Sequence, residues 1–181
     1  MKKQVLFIQG GGEGGYEADE KMVRSLQSAL GGNYKINYPQ MLTDEAAPDF
    51  GWLKQIGDAI DQFREGFIVV AHSLGASLLL KYLSENKVSK SIPAIFLIDT
   101  PFWHGNEEWQ RGLKLREDFV QYLPGNSRFY FYHSRDDEEV PFDQLTTYKQ
   151  RLPMATFREI ESGGHQLGDN LSLVAKDIKD V

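Results

Sequence analysis

This sequence predicts an α/β fold of three layers, with helices on both faces of a mostly parallel, six-stranded sheet. Two observations carry that expectation. Six short apolar runs alternate with segments of helical periodicity, and strand–helix–strand alternation is the pattern of parallel strands joined by crossovers over the sheet faces. Glycine or proline marks most of the joints, at Gly31-Gly32, Pro39, Pro101, Pro124-Gly125 and Gly163-Gly164. With 181 residues and no repeat, low-complexity tract or long linker, residues 1–181 are expected to form one domain.

Strands are expected at residues 5–9, 34–38, 67–71, 94–99, 128–133 and 156–160, each rich in apolar and β-branched or aromatic residues. A stripe of Ala18, Met22, Leu26 and Ala29 predicts a helix after the first strand. Leu53, Ile56, Ile60 and Phe63 predict a second, and Leu171, Val174, Ile178 and Val181 a last one. The run from Leu78 to Leu83 opens a helix directly after the third strand. The longest connection follows the fourth strand. It is expected to hold a helix over 110–122 and a short lid-like insertion at about 100–125. Phe102, Trp103 and Trp109 in this stretch are candidates for a substrate wall, or for aromatics that plug a sheet edge.

The net charge of −6 argues against nucleic acid or an anionic membrane surface as the main partner, since both reward clustered Lys and Arg. Absence of cysteine excludes disulfides, thiolate metal sites and a cysteine nucleophile. Met1-Lys2-Lys3 is a charged start, but the apolar run from Val5 to Ile8 is too short for a signal segment. No stretch reaches transmembrane length, so a cytoplasmic location is expected.

The chemistry centres on Ala71-His72-Ser73-Leu74-Gly75, between the third strand and its helix. Small-x-Ser-x-Gly at a strand-to-helix turn exposes a serine hydroxyl above the sheet, because small residues two before and two after relieve backbone crowding. Ala71 stands where the motif has glycine, which adds one methyl group. Ser73 is thus a candidate nucleophile, and a helix N-cap serine is the plain alternative. A nucleophilic serine needs a base and an acid. His165 follows the last strand in Ser162-Gly163-Gly164-His165, at the sheet edge where open α/β folds build their sites. Of the other histidines, His72 is expected to pack beside the elbow, His133 to hydrogen-bond the next loop, and His104 to lie in the lid. The acid is expected in Ser134-Arg135-Asp136-Asp137-Glu138-Glu139-Val140-Pro141. Asp137, three residues before Val140-Pro141, is favoured, with Asp136 shaping the turn and Asp99 in reserve. Backbone N–H groups of Leu74 and of Gly11 or Gly12 are candidate oxyanion donors, because Gly10-Gly11-Gly12-Glu13-Gly14-Gly15 permits close backbone approach. That glycine run is not a phosphate loop: no Gly-Lys-Ser/Thr follows and Glu13 sits within it.

The order Ser73, Asp137, His165 and the segments Val69-Val70-Ala71-His72-Ser73-Leu74-Gly75, Asp136 to Pro141 and Gly164-His165 resemble the α/β-hydrolase superfamily. More narrowly, they resemble small, nearly capless serine hydrolases such as the retinoblastoma-binding serine hydrolase family. The resemblance covers nearly the whole chain and implies a reduced α/β-hydrolase fold with sheet order 2-1-3-4-5-6. It also implies hydrolysis of a small ester or thioester through an acyl-enzyme, with no metal or organic cofactor. A non-catalytic binding or regulatory protein on the same fold is the alternative. Dehalogenase chemistry needs an aspartate where Ser73 stands. Neither substrate identity nor oligomeric state is legible.

Overall fold

The computed structural model describes residues 2–181; Met1, read above as part of a charged start, lies outside them. The elements in chain order are β1 (Lys3–Ile8), α1 (Gly15–Leu30), β2 (Tyr34–Asn37), α2 (Trp52–Asp61), β3 (Ile68–His72), α3 (Ser73–Glu85), β4 (Ala94–Ile98), β5 (Arg128–Ser134), α4 (Asp143–Arg151), β6 (Thr156–Ile160) and α5 (Ser172–Lys179). All six strands are parallel, in the order β2-β1-β3-β4-β5-β6. The chain runs outward from β1 to β2 and then returns to the other side of β1, so the order reverses between β1 and β3. Open parallel sheets bind ligands at such a reversal, beyond the carboxyl ends of the strands.

Side-chain alternation along the strands builds two cores. Leu6, Ile8, Val69, Ala71, Ile95 and Leu97 face one side, where they meet Trp52 and Ile56 of α2 and Leu78 and Leu79 of α3. Val5, Phe7, Ile68, Val70, Phe96 and Ile98 face the other, against Met22 and Leu26 of α1 and Val174 and Ile178 of α5. Strands buried on both faces read as unbroken apolar runs, which is why β1, β3 and β4 stand out in the sequence. No helix among the described residues is long and apolar enough to cross a membrane.

Two expectations are corrected. The helix over 110–122 does not form. That stretch holds only 3-10 turns at Glu108–Gln110 and Phe119–Tyr122. Gly112 interrupts the run, and its backbone lies so close to Pro48 that a Cβ would stand 1.9 Å from the Pro48 carbonyl oxygen. Leu113 and Phe119 are still buried, both in the core that also takes in α2 and α3. In α1, Ala18 is exposed and Asp19 takes the inward position in line with Met22, Leu26 and Leu30.

Candidate active site

The connections after β1, β3, β4, β5 and β6 converge beyond the carboxyl ends of the strands. β3 runs into α3 without a spacer, and Ser73 is forced into the left-handed region at φ 50°. For a non-glycine residue that conformation costs about 1–3 kcal/mol and persists only where packing holds it. Here Gly75 packs on the end of β1 and lets the turn approach it.

Ser73, His165 and Asp137 form one hydrogen-bonded chain. The Ser73 hydroxyl donates to His165 Nε2 at 2.9 Å. His165 Nδ1–H donates to Asp137, 2.9 Å from Oδ2 and 3.1 Å from Oδ1. Asp137 Oδ1 also accepts the N–H groups of Glu139 (2.8 Å) and Val140 (3.0 Å). Burial works to raise the Asp137 carboxyl, but the bonds from His165 and these amides outweigh it and hold it below the usual carboxylate range. Asp136 turns away and binds the loop before His165: its Oδ1 accepts from Gly163 N–H and Gly164 N–H, each at 2.9 Å, and from Ser134 Oγ at 2.5 Å. Asp99, the reserve acid, does not contact His165. It accepts Ser134 N–H at 3.0 Å and lies 3.9 Å from His133 Nε2. Burial, together with the charge and side chain of Asp137, raises it well above the carboxylate range, despite His72 and the Ser134 amide pulling the other way. Burial lowers His133, whose Nε2–H donates to Val140 O at 2.9 Å.

The chain opens on a cleft of about 700 Å³, within the range of small-molecule sites. Gly10, Gly11, Gly12 and Leu74 line it beside Ser73 and His165. The Leu74 N–H lies in the first turn of α3, where helical amides have no intrahelical acceptor. Gly10 N–H, by contrast, is held by Asp19 Oδ2 at 2.7 Å. Trp103, Trp109, Phe50, Pro101 and Leu113 form an apolar wall, and Trp103 and Trp109 meet edge to face at 5.4 Å. Trp103 Nε1–H is anchored on Ser77 Oγ at 3.0 Å. Phe102 is not in this wall: its ring packs edge-on against Tyr148, 5.3 Å away. His104 is exposed and bonds the Phe102 carbonyl. Glu13, Asp136, Glu138 and Glu139 also line the cleft, and among the described residues no lysine or arginine does.

Sequence reasoning missed Asp19, Phe50 and Leu113. Asp19 could have been flagged as a carboxylate in phase with an apolar stripe. Phe50 and Leu113 come from irregular segments and left no comparable signal.

A six-stranded parallel sheet of this order, with a serine at the sharp turn after β3, defines an α/β-hydrolase fold. A family model described as serine hydrolase matches residues 18–170, and the chain belongs to that family. It is an enzyme of the hydrolase class. No curated protein matches the chain in sequence. Solved structures share the fold. The ydeN gene product of B. subtilis is 19% identical with a TM-score of 0.72, covering 99% of this chain and 98% of that one. Est1E from Butyrivibrio proteoclasticus is 17% identical with a TM-score of 0.73, over 99% and 86%. The thioesterase domain from the curacin biosynthetic pathway is 17% identical with a TM-score of 0.73, over 98% and 91%.

Proposed function

We propose that this hydrolase cleaves a small carboxylic ester or thioester, with Ser73 as nucleophile, His165 as general base and acid, and Asp137 as the group that orients His165. The observation that carries the reading is the unbroken Ser73–His165–Asp137 chain of hydrogen bonds at the mouth of the cleft. His165 takes the Ser73 proton as the oxygen attacks the carbonyl, returns it to the leaving group, and then activates water against the acyl-enzyme. Leu74 N–H, with Gly11 or Gly12 N–H, would bind the oxyanion; one such donor is worth about 3–4 kcal/mol. The commitment of Gly10 N–H to Asp19 favours the next two glycines for that role. The scheme calls on no metal or organic cofactor. The esterase and thioesterase named among the structural neighbours make both ester and thioester substrates reasonable first trials.

The test is labelling by a fluorophosphonate probe alongside turnover of short p-nitrophenyl esters. The wild type is expected to label and to turn over, and Ser73→Ala to do neither. Labelling that persists in Ser73→Ala would move the nucleophile elsewhere, and a folded wild-type protein that never labels would favour a binding role.

A further inference from the structure

Below the Ser73–His165–Asp137 chain lies a second histidine–aspartate pair. His72 and Asp19 are each 1% exposed, with His72 Nδ1 2.8 Å from Asp19 Oδ2. The other ring nitrogen, Nε2, is 2.8 Å from the backbone oxygen of His165. A carbonyl can only accept, so Nε2 carries a hydrogen. Nδ1 faces a carboxylate oxygen, and an imidazolium satisfies both partners with one N–H each. Asp19 Oδ2 also accepts Gly10 N–H at 2.7 Å, and Gly10 lies directly against the His72 ring. One buried pair therefore ties together α1, the glycine loop after β1, the end of β3 and the loop bearing His165.

We propose that His72 and Asp19 form a buried charged pair that positions the catalytic base and the oxyanion loop relative to Ser73. The proposal deepens the reading above and rests on it. A buried, unpaired charge would be strongly disfavoured, but here each charge meets its partner, the second His72 nitrogen meets the His165 carbonyl, and Asp19 Oδ2 also takes the Gly10 amide. Three groups face the His72 ring: Asp19 from α1, Asp99 at the end of β4, and the His165 ring, whose centroid is 4.7 Å away. Burial lowers His72, yet the Asp19 charge and hydrogen bond, the Asp99 charge and the His165 carbonyl leave it raised above the ordinary histidine value. The pair is thus intact below that ordinary value, and its contribution is lost as pH rises through the higher folded one. A neutral His72 would give up one of its two N–H donors and loosen either Asp19 or the His165 loop.

Two measurements test this. The first is a ¹⁵N titration of the histidine rings in the wild-type protein, which needs no catalysis. Both His72 nitrogens are expected to keep their hydrogens to a higher pH than a free imidazole, which titrates at about 6.5; a His72 that loses one at or below that pH overturns the proposal. The second compares His72→Asn with His72→Gln. The shorter amide reaches the Nδ1 position and Asp19 but not the His165 carbonyl, whereas the longer one reaches towards that carbonyl. His72→Asn is expected to lose about tenfold or more in kcat with KM within about threefold, and His72→Gln to recover part of it, as displacement of a positioned base predicts. Equal rates in the two variants, or a wild-type rate in His72→Asn, overturn it. If neither variant folds, the titration decides alone. Failure of the serine reaction itself is read separately, from probe labelling of Ser73→Ala, and leaves the titration unaffected.

Discussion

Gly75 sits so close to Gln9 that a Cβ added to it would stand 2.1 Å from the Gln9 carbonyl oxygen, and 2.7 Å from Ile8 Cγ2. The contact joins the first turn of α3 to the end of β1, and it sets the distance between Ser73 and the glycine loop. Backbone cannot swing aside as a flexible side chain can. Gly75→Ala is therefore expected to destabilise the protein by about 1–3 kcal/mol, the usual cost of overpacking, and to lower kcat through displacement of Leu74. Urea unfolding and ester turnover measured on the same preparation check both effects; a neutral outcome in each would show that the elbow has slack.

Neighbouring carboxylates with different partners should fail differently. Asp137 serves His165, while Asp136 serves the Gly163 and Gly164 amides. Asp137→Asn keeps the shape but presents the imidazole with the wrong partner, and a fall of about 10³–10⁴ in kcat is expected. Asp136→Asn retains one acceptor oxygen for the loop, so a loss of about tenfold or less is expected. Because Asp137 is held below the usual carboxylate range, its stabilising effect is present above that range and fades as pH falls through the folded value. An equal loss in both variants would reassign the acid.

Asp99 has the opposite sign. Its carboxyl is raised well above the normal range by burial and by Asp137. The folded state therefore holds a proton that the unfolded chain releases, and stability falls as pH rises from the carboxylate range towards the folded value. Asp99→Asn keeps an acceptor for Ser134 N–H and removes the titration. It is expected to raise the urea midpoint at about pH 8 and to change it little at about pH 4, below which both states are protonated. A variant less stable than wild type at the higher pH would contradict this.

Charge around the cleft bears on substrate choice. Glu13, Glu138 and Glu139 are exposed at its lining, and among the described residues no lysine or arginine lines it. Esters matched in size but bearing a carboxylate should react more slowly than neutral or cationic ones, by about 3- to 10-fold in kcat/KM at low salt. Added salt screens exposed charges over about 10 Å at 0.1 M and should narrow the gap. A ratio indifferent to salt would mean the rim does not face the substrate.

How far the sequence could be read follows from the physics of each part. The central strands β1, β3 and β4 are apolar on both faces, and the outer strands keep enough β-branched and aromatic residues, so β1 to β6 were legible to within a residue or two. The alternation of elements does not encode lateral sheet order, because every crossover has the same local pattern; the order came from the motif resemblance, and the sheet matches it. The segment over 110–122 misled because its apolar residues are spaced like a helix, while Gly112 and its packing on Pro48 are tertiary facts. Asp19 was missed because Ala18 is also in near-helical phase with Met22, and a one-residue shift of phase hides a buried carboxylate. His72 could be placed beside the elbow, but its partners lie 53 and 93 residues away.

The aromatic wall gives the last prediction, through a contrast between two neighbours. Trp109 is 51% exposed, lines the cleft, and leans on Trp103, which is itself fixed by Ser77. Phe102 packs outside the cleft on Tyr148, and its N–H is held by Gln144 Oε1 at 2.7 Å. Removing Trp109 takes away apolar surface that only a longer acyl or alcohol group can reach. Trp109→Ala should therefore leave turnover of acetate esters nearly unchanged and raise KM for hexanoate or octanoate esters by about 5- to 20-fold, the worth of one or two buried methylenes or more. Phe102→Ala should show no dependence on chain length and instead lower stability by about 3 kcal/mol or somewhat less, since the ring is only half-buried. A chain-length series with both variants, run beside their unfolding curves, separates the roles. If Phe102→Ala carried the chain-length effect and Trp109→Ala did not, the substrate wall would lie against Phe102 and Tyr148 and the cleft assignment would have to move with it.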